Sequence, residues 1–296
     1  MEKFNYGGQA VIEGVMMRGS KVLAIAVREP KGKIVVHSEP LNPHVYSGRI
    51  SRWPFIRALT MLWDTLGLGL RSLMYSADVA LGEEDAEFSG PLGWGTVAVS
   101  LLLGIGLFFV MPSLLVSLVD RWLPSSLLSN LIEGTVRLAL ILLYIWGVGF
   151  IPDIRRVFAY HGAEHKTINA YENGAPLTPP SVAAYTTAHP RCGTSFLLVV
   201  AVIAVLVFAL LGRPALWIRL ISRVLLIPVI AGLSYEVIRF SAAHRHNPLM
   251  RVILAPGLWL QQLTTREPEP PMLEVAIAAL QRVLAEEGEN PSVKRA

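Results

Sequence analysis

Pro91–Val119, PLGWGTVAVSLLLGIGLFFVMPSLLVSLV, contains no ionisable residue. A helix rises about 1.5 Å per residue and the hydrocarbon core of a bilayer is about 30 Å thick, so this stretch can cross with some tilt. Pro112 marks a position where it can kink. Working outward, Gly134–Ile151 carries only Arg137 near one end, holds Tyr144 and Trp146 in its second half, and stops at Pro152. It reads as a second span. Thr194–Gly212 is uncharged and rich in Val and Leu, making a third. Leu220–Ile238 makes a fourth that carries Arg223, Pro228 and Glu236, with only Val224–Tyr235 free of charge. The composition agrees, at 53% hydrophobic and 16% charged residues with a mean hydropathy of +0.49, against a charged share of about 25% in soluble domains. Disordered, collagen-like and disulfide-scaffold classes are excluded. The expected fold is mainly α, a polytopic helical membrane protein of about four transmembrane helices, with a small cytoplasmic N-terminal β-hairpin region and interfacial amphipathic helices.

Orientation follows from Lys and Arg near the span ends. The side holding both termini and residues 152–193 carries the larger number, and the first ninety residues show no signal peptide. Both termini are therefore expected in the cytoplasm of a cell bounded by an inner membrane, where Cys192 stays reduced. The net charge of +4 does not argue for nucleic acid. Basic and acidic residues cancel within 1–90 and within 236–296, and the excess lies in the 152–193 loop and around Arg213, Arg219 and Arg223. No specific nucleic-acid binding is expected; membrane lipids are the expected contact.

The chain divides into a glycine-rich and β-hairpin region (1–50), an amphipathic helix (52–81), a first transmembrane hairpin (91–151), a loop (152–193), a second transmembrane hairpin (194–240) and a C-terminal stretch (241–296). Lys21–Val27 and Lys33–Ser38 flank Arg28-Glu29-Pro30-Lys31-Gly32, a hairpin signal. In Trp53–Leu81 the charges Arg57, Asp64, Arg71 and Asp78 recur every seventh residue on one narrow face, which suits a helix lying on the membrane surface; a core helix beneath the hairpin is the alternative. Leu249–Leu263, with Trp259 and Pro256, reads as a second interfacial stretch. Pro268, Pro270 and Pro271 form a stiff break. Leu273, Ile277, Leu280 and Leu284 then mark an amphipathic helix that packs on the soluble part.

Five of the seven histidines and the only cysteine fall between residues 161 and 246. Ala159–Glu172 is a predicted helix closed by Asn173-Gly174. His161 and His165 are four apart on it, one above the other, the spacing at which two imidazoles can share a cation. His161-Gly162-Ala163-Glu164-His165 also satisfies H-x-x-E-H, in which the glutamate serves as general base. His189-Pro190-Arg191-Cys192-Gly193 has the layout of a zinc knuckle, with a tight turn between two ligands and a glycine that lets its amide donate to the sulfur. His161, His165, His189 and Cys192 form a nitrogen-rich, one-sulfur set suited to Zn²⁺ rather than Mg²⁺ or Ca²⁺. Three ligands would leave an open, catalytic position, with Glu164 as base; four would close the site. Glu172, seven residues beyond His165, fits a supporting or substrate-binding role. Glu236 at the end of the fourth span is either a ligand or the partner of Arg239 or Arg223. His244 and His246 read as headgroup contacts.

The opening block Gly7–Gly19, GGQAVIEGVMMRG, lacks the lysine of a P-loop and the spacing of a dinucleotide fingerprint. It reads as an edge strand in which Glu13 and Arg18 pair, or as a roof that places Glu13 over the metal site. Together with Tyr160–Glu172, YHGAEHKTINAYE, and His189–Phe196, HPRCGTSF, it resembles the YqhQ-like family of bacterial membrane proteins. That family is a domain of unknown function for which metal-dependent enzyme activity is predicted. The resemblance marks Glu13, Arg18, His161, Glu164, His165, Lys166, Glu172, His189, Arg191 and Cys192. Two functional readings follow. One is a metal-dependent hydrolase acting at the bilayer surface on a lipid-derived or membrane-protein substrate, with Glu164 as base and Glu13 and Glu172 assisting. The other is a scaffold in which zinc is structural and docks a translocation, ribosome-associated or envelope-synthesis complex. A transporter fits less well, because the spans hold few polar residues and show no inverted repeat.

Overall fold

A computed structural model describes residues 6–43, 53, 56–82, 90–189, 192–212, 214–243 and 248–288. Four strands, β1 (Gly7–Val11), β2 (Gly14–Arg18), β3 (Val22–Arg28) and β4 (Ile34–Pro40), form an antiparallel meander in the order β1-β2-β3-β4. The hairpin expected at 21–38 is β3–β4. The opening block is itself a hairpin rather than one edge strand, turning at Ile12-Glu13, where Glu13 takes φ 49°. β3 is apolar from Val22 to Val27 because both faces of the sheet are covered. Ala24 and Ala26 join Val15 and Met17 beneath helices, while Leu23, Ile25 and Val27 join Val11 and Met16 on the opposite face.

The first covering layer contains the helix expected near the C-terminus, here Pro270–Glu286, whose Leu273, Ile277, Leu280 and Leu284 are all buried. Pro270 and Pro271 start that helix rather than interrupt the chain, since proline lacks only an amide that a first turn leaves unbonded. The opposite layer is α1 (Ile56–Leu81), with Leu68 in the core and Tyr75 and Val79 packed against it. The alternative reading, a core helix beneath the hairpin, describes part of α1: its buried stripe lies under the sheet and its N-terminal half packs on a later helix, where Arg57 meets Glu236. The other side keeps Trp63 and Leu66 exposed at 81% and 68%.

The helical layer begins with α2 (Pro91–Ile105), a π-turn (Gly106–Val110) and α3 (Met111–Val119). The π-turn directly precedes Pro112, whose missing amide removes a helical hydrogen bond. α4 spans Ser126–Val148, not 134–151. It starts earlier because Ser125 caps it, accepting from the Leu128 amide at 3.2 Å. α5 (Pro152–Glu172) and α6 (Pro179–Ala183) follow, then α7 (Gly193–Leu210). The fourth expected span is two helices, α8 (Leu216–Leu225) and α9 (Ile227–Ala243), bent by 46° beside Pro228. α10 (Pro248–Thr264) packs along α7 and so is not a free interfacial stretch; α11 is the Pro270–Glu286 helix. Among the described residues, Gly93–Trp122 and Ser126–Val148 are long and apolar enough to cross a membrane. The bent pair makes a third candidate, and Phe196–Leu210 is a shorter apolar helix.

Inside this bundle lies a polar network that the sequence reading missed. Glu133 Oε1 accepts from Arg223 Nε at 2.7 Å, Arg137 Nη2 at 2.8 Å and Ser113 Oγ at 2.9 Å. Its Oε2 accepts from Arg219 Nε and Arg223 Nη2, each at 3.0 Å. Arg219 also reaches Asp120 and Ser129, and Arg223 reaches Asn130 and lies over the Phe208 ring.

Candidate metal centre

α5 begins at Pro152, earlier than expected, and ends at Asn173-Gly174 as expected, with Gly174 at φ 69°. Its buried stripe includes Glu164 and His165. Gly162, between the two histidines, is required by contact: a Cβ there would collide with the Arg266 carbonyl oxygen, which lies against the helix because the Arg266 amide bonds the Phe158 carbonyl. Gly162→Ala should therefore destabilise the protein by about 2 kcal/mol, as overpacking against backbone does, and move α5 away from residues 264–266. Thermal unfolding of the detergent-solubilised variant measures this.

His161, His165 and Cys192 come together, with one ligand atom from each lying within 4.8 Å of the others. Cys192 Sγ is 3.3 Å from His161 Nε2. The imidazoles are held by backbone acceptors: His161 Nδ1 donates to the Thr264 carbonyl at 3.0 Å and His165 Nδ1 to that of Thr187. A carbonyl can only accept, so Nδ1 carries the proton in each ring and Nε2 offers its lone pair to the cluster. Burial lowers the His161 pKa and pushes His165 down to about 3, with neighbouring His161 adding to the fall. Both shifts favour the neutral ring, the state that binds cations.

Cys192 caps the N-terminus of α7, facing the positive end of the helix dipole. The amide that donates to its sulfur is that of Thr194 at 3.4 Å, not that of Gly193 as the knuckle pattern suggested, and the Thr194 hydroxyl is 2.7 Å away. His189 stands one step back. Its ring centroid is 5.6 Å from that of His165, and its backbone is clamped by the Gln261 amide at 3.0 and 2.9 Å. Among the described residues, buried His189 Nε2 has no hydrogen-bond partner; the Glu172 carboxylate is 3.7 Å away. Glu164 Oε2 is 3.4 Å from His165 Nε2, and its side chain is buried. Tyr6, Gly7, Gly8, Glu164, His189 and Cys192, together with the two α5 histidines, line a cleft of about 250 Å³.

Other sequence candidates lie elsewhere. Glu13 neither pairs with Arg18 nor roofs the cleft. It chelates Arg156 at 2.6 Å through both oxygens and accepts from Tyr160 at 3.3 Å, and the Arg156 hydrogen bond holds its carboxyl below the usual range. Arg18 donates to Thr65 at 3.5 Å, on the α1 side of the sheet. Lys166 bonds the Ala183 carbonyl at 2.8 Å and pairs with Glu267. Glu236 is chelated by Arg57 at 2.9 and 2.6 Å, because Arg223 is engaged by Glu133. Arg191, His244, His246 and the acidic residues 83–87 lie outside the described residues. The sequence reading missed Thr187, Gln261 and Thr264, the groups that orient the cluster. The polar run Gln261-Gln262 and Thr264-Thr265 closing an apolar helix was the available signal.

A family model described as "Protein of unknown function (DUF1385)" matches residues 53–286. The chain is 34% identical, over 305 residues, to "Uncharacterized protein YqhQ" of Bacillus subtilis (strain 168), covering 97% of this chain and 96% of the relative. No solved structure matches it.

Proposed function

The chain belongs to the DUF1385 family, to which no activity is assigned, and on that premise we propose that it is a membrane-anchored, zinc-dependent hydrolase. One observation carries the reading: two neutral imidazoles aim Nε2 at a thiol, with a buried carboxylate beside them and an open cleft above. The donor set fits the ion. Tetrahedral Zn²⁺ with bonds of about 2.1 Å to nitrogen and 2.3 Å to sulfur needs ligand atoms roughly 3.5 Å apart, and Sγ and His161 Nε2 are 3.3 Å apart. His161, His165 and Cys192 would hold it, leaving one position open. When bound, the cation would supply Lewis acidity toward a carbonyl or phosphoryl oxygen and toward water. Glu164 takes the proton from the attacking water, and the cleft wall of Gly7 and Gly8 admits substrate without side-chain obstruction.

The proposed setting is a bacterial inner membrane crossed by four helical segments, namely Gly93–Trp122, Ser126–Val148, the shorter Phe196–Leu210 and the bent α8–α9 pair. Both termini and the cleft face the cytoplasm. The position of His189 favours one rival: a shift of that ring would add a fourth ligand and close the site, making zinc structural and the sheet a platform for a partner complex. Elemental analysis of protein purified without chelator should find one zinc per chain, and Glu164→Gln should keep it while abolishing function in a complementation test. Retained function in Glu164→Gln would favour the scaffold; absence of a stoichiometric transition metal would defeat both readings.

A further inference from the structure

We propose that the site hydrolyses an extended polypeptide, held as an added strand along the outer edge of β1. The inference rests on the hydrolase reading and adds its substrate class. Sheet order leaves β1 at an edge, and no strand among the described residues pairs with its outer side. The Val11↔Gly14 register closes a two-residue turn, so hydrogen-bonded pairs with β2 alternate from Val11 back through Gln9 to Gly7. The amides and carbonyls of Gly8 and Ala10 therefore point outward. Ile12, next in that outward series, sends its amide to Ser76 Oγ at 3.1 Å, consistent with this phase.

The outward edge runs directly into the candidate centre. Gly8 lines the same cleft as the histidines, and it is exposed, so its backbone is open to a partner. A Cβ on Gly8 would lie 2.8 Å from Glu164 Cγ and 3.0 Å from its Oε1. The nearest obstacle to a side chain here is the Met16 carbonyl oxygen, 2.6 Å from that Cβ, with Glu164 behind it, and the missing side chain brings main-chain hydrogen-bonding groups next to the residue that would activate water. A second observation points to a ligand. His189, only 3% exposed, lines this cleft, and among the described residues its Nε2 has no hydrogen-bond partner, Glu172 standing off at 3.7 Å, as expected of a group that meets a substrate carbonyl or carboxylate.

Strand addition reads the substrate backbone, which every polypeptide shares, and it fixes one carbonyl relative to the rail. Lipids and phosphate esters have no repeating amide pattern to use such an edge. In the reaction, water oxygen bonds to the scissile carbonyl carbon and one water proton passes to Glu164. The C–N bond then breaks, and Glu164 returns the proton to the departing nitrogen. Water is the only co-reactant, and the products are a carboxylate and an amine.

The test uses the full chain in detergent, loaded with one equivalent of zinc and carrying Glu164→Gln so that substrate is bound and not turned over. Labelled β-casein, an unfolded polypeptide, is the probe, read by fluorescence anisotropy. Ala10→Pro removes one outward amide and no β1–β2 bond, a change that edge strands tolerate. It should weaken casein binding about tenfold, the effect of losing one such hydrogen bond and its alignment, with zinc content unchanged. If Ala10→Pro does not fold, an N-methylated peptide supplies the second measurement on the unmutated edge: methylation of alternate amides should weaken binding about tenfold relative to the parent peptide. Zinc bound at one per chain with no casein binding, or binding indifferent to both changes, overturns the polypeptide assignment and leaves the metal site standing. Loss of zinc itself points to failure of the underlying reading.

Discussion

Glu133→Ala should lower the unfolding midpoint of the solubilised protein by about 10 °C, and the variant should be recovered in low yield. Among the described residues, Glu133 is the one carboxylate shared by Arg137, Arg219 and Arg223, and all four side chains are 1–4% exposed. Removing it leaves three buried guanidiniums, of which, among the described residues, Arg219 alone keeps a carboxylate, Asp120 at 3.2 Å. Breaking a buried ion pair by deleting one partner costs about 3–5 kcal/mol, and at about 2–4 °C per kcal/mol for a chain of this size class the shift is near 10 °C. Arg137→Met should cost clearly less, because Glu133 then still holds two guanidiniums. Glu133→Gln should fall between, since its carbonyl oxygen can accept some of these hydrogen bonds without the charge. Thermal unfolding monitored by circular dichroism measures all three, and a Glu133→Ala midpoint equal to that of the parent would show that the network does not hold the bundle together.

That network also shows what the sequence could and could not reveal. Long apolar runs are a one-dimensional signal, so Pro91–Val119 was legible as a helix at once, as were β3–β4 and the helix beginning at Pro270. A span start drawn at Gly134 left Glu133 just outside, so Arg137 looked like an isolated charge and Arg223 was offered to Glu236 instead. The i,i+4 pairs Glu133/Arg137 and Arg219/Arg223 were the clue, but only the tertiary fold places one pair against the other. The site divides in the same way. His161, Glu164 and His165 share a helix and were readable from spacing, and Cys192 was readable from its turn. His189 is separated from Cys192 by only two residues, yet the clamp from Gln261 holds it back from the cluster. Glu13 was misread because its partner Arg156 lies far along the chain, a pairing that no local pattern encodes. α1 was read from its charged stripe, whereas its small and apolar stripe, with Leu68, Ser72 and Ser76, is the one that packs under the sheet.

Cys192→Ser and His165→Ala should each weaken metal binding by more than about 100-fold, beyond the 10–100-fold typical of losing a group that only orients a ligand. The two losses differ in kind. Cobalt substitution reads the difference, because a thiolate ligand gives Co²⁺ a near-ultraviolet charge-transfer absorption that imidazole and carboxylate do not. The parent protein should show that band, Cys192→Ser should lack it even at saturating cobalt, and His165→Ala should retain it at higher cobalt concentration. His189→Ala separates the open site from the closed one. With three ligands at His161, His165 and Cys192, its cobalt spectrum and affinity should stay near those of the parent, because His189 lies outside the cluster that converges within 4.8 Å. If the ring moves in to complete a structural site, the variant instead loses affinity as steeply as His165→Ala, and its stability falls with its metal content. Gln261→Ala should fall on the same side as His189→Ala, since the Gln261 amide fixes His189 through its backbone. Parallel behaviour of these two variants, with intact metal binding and lost function, would place His189 over the substrate and not on the metal.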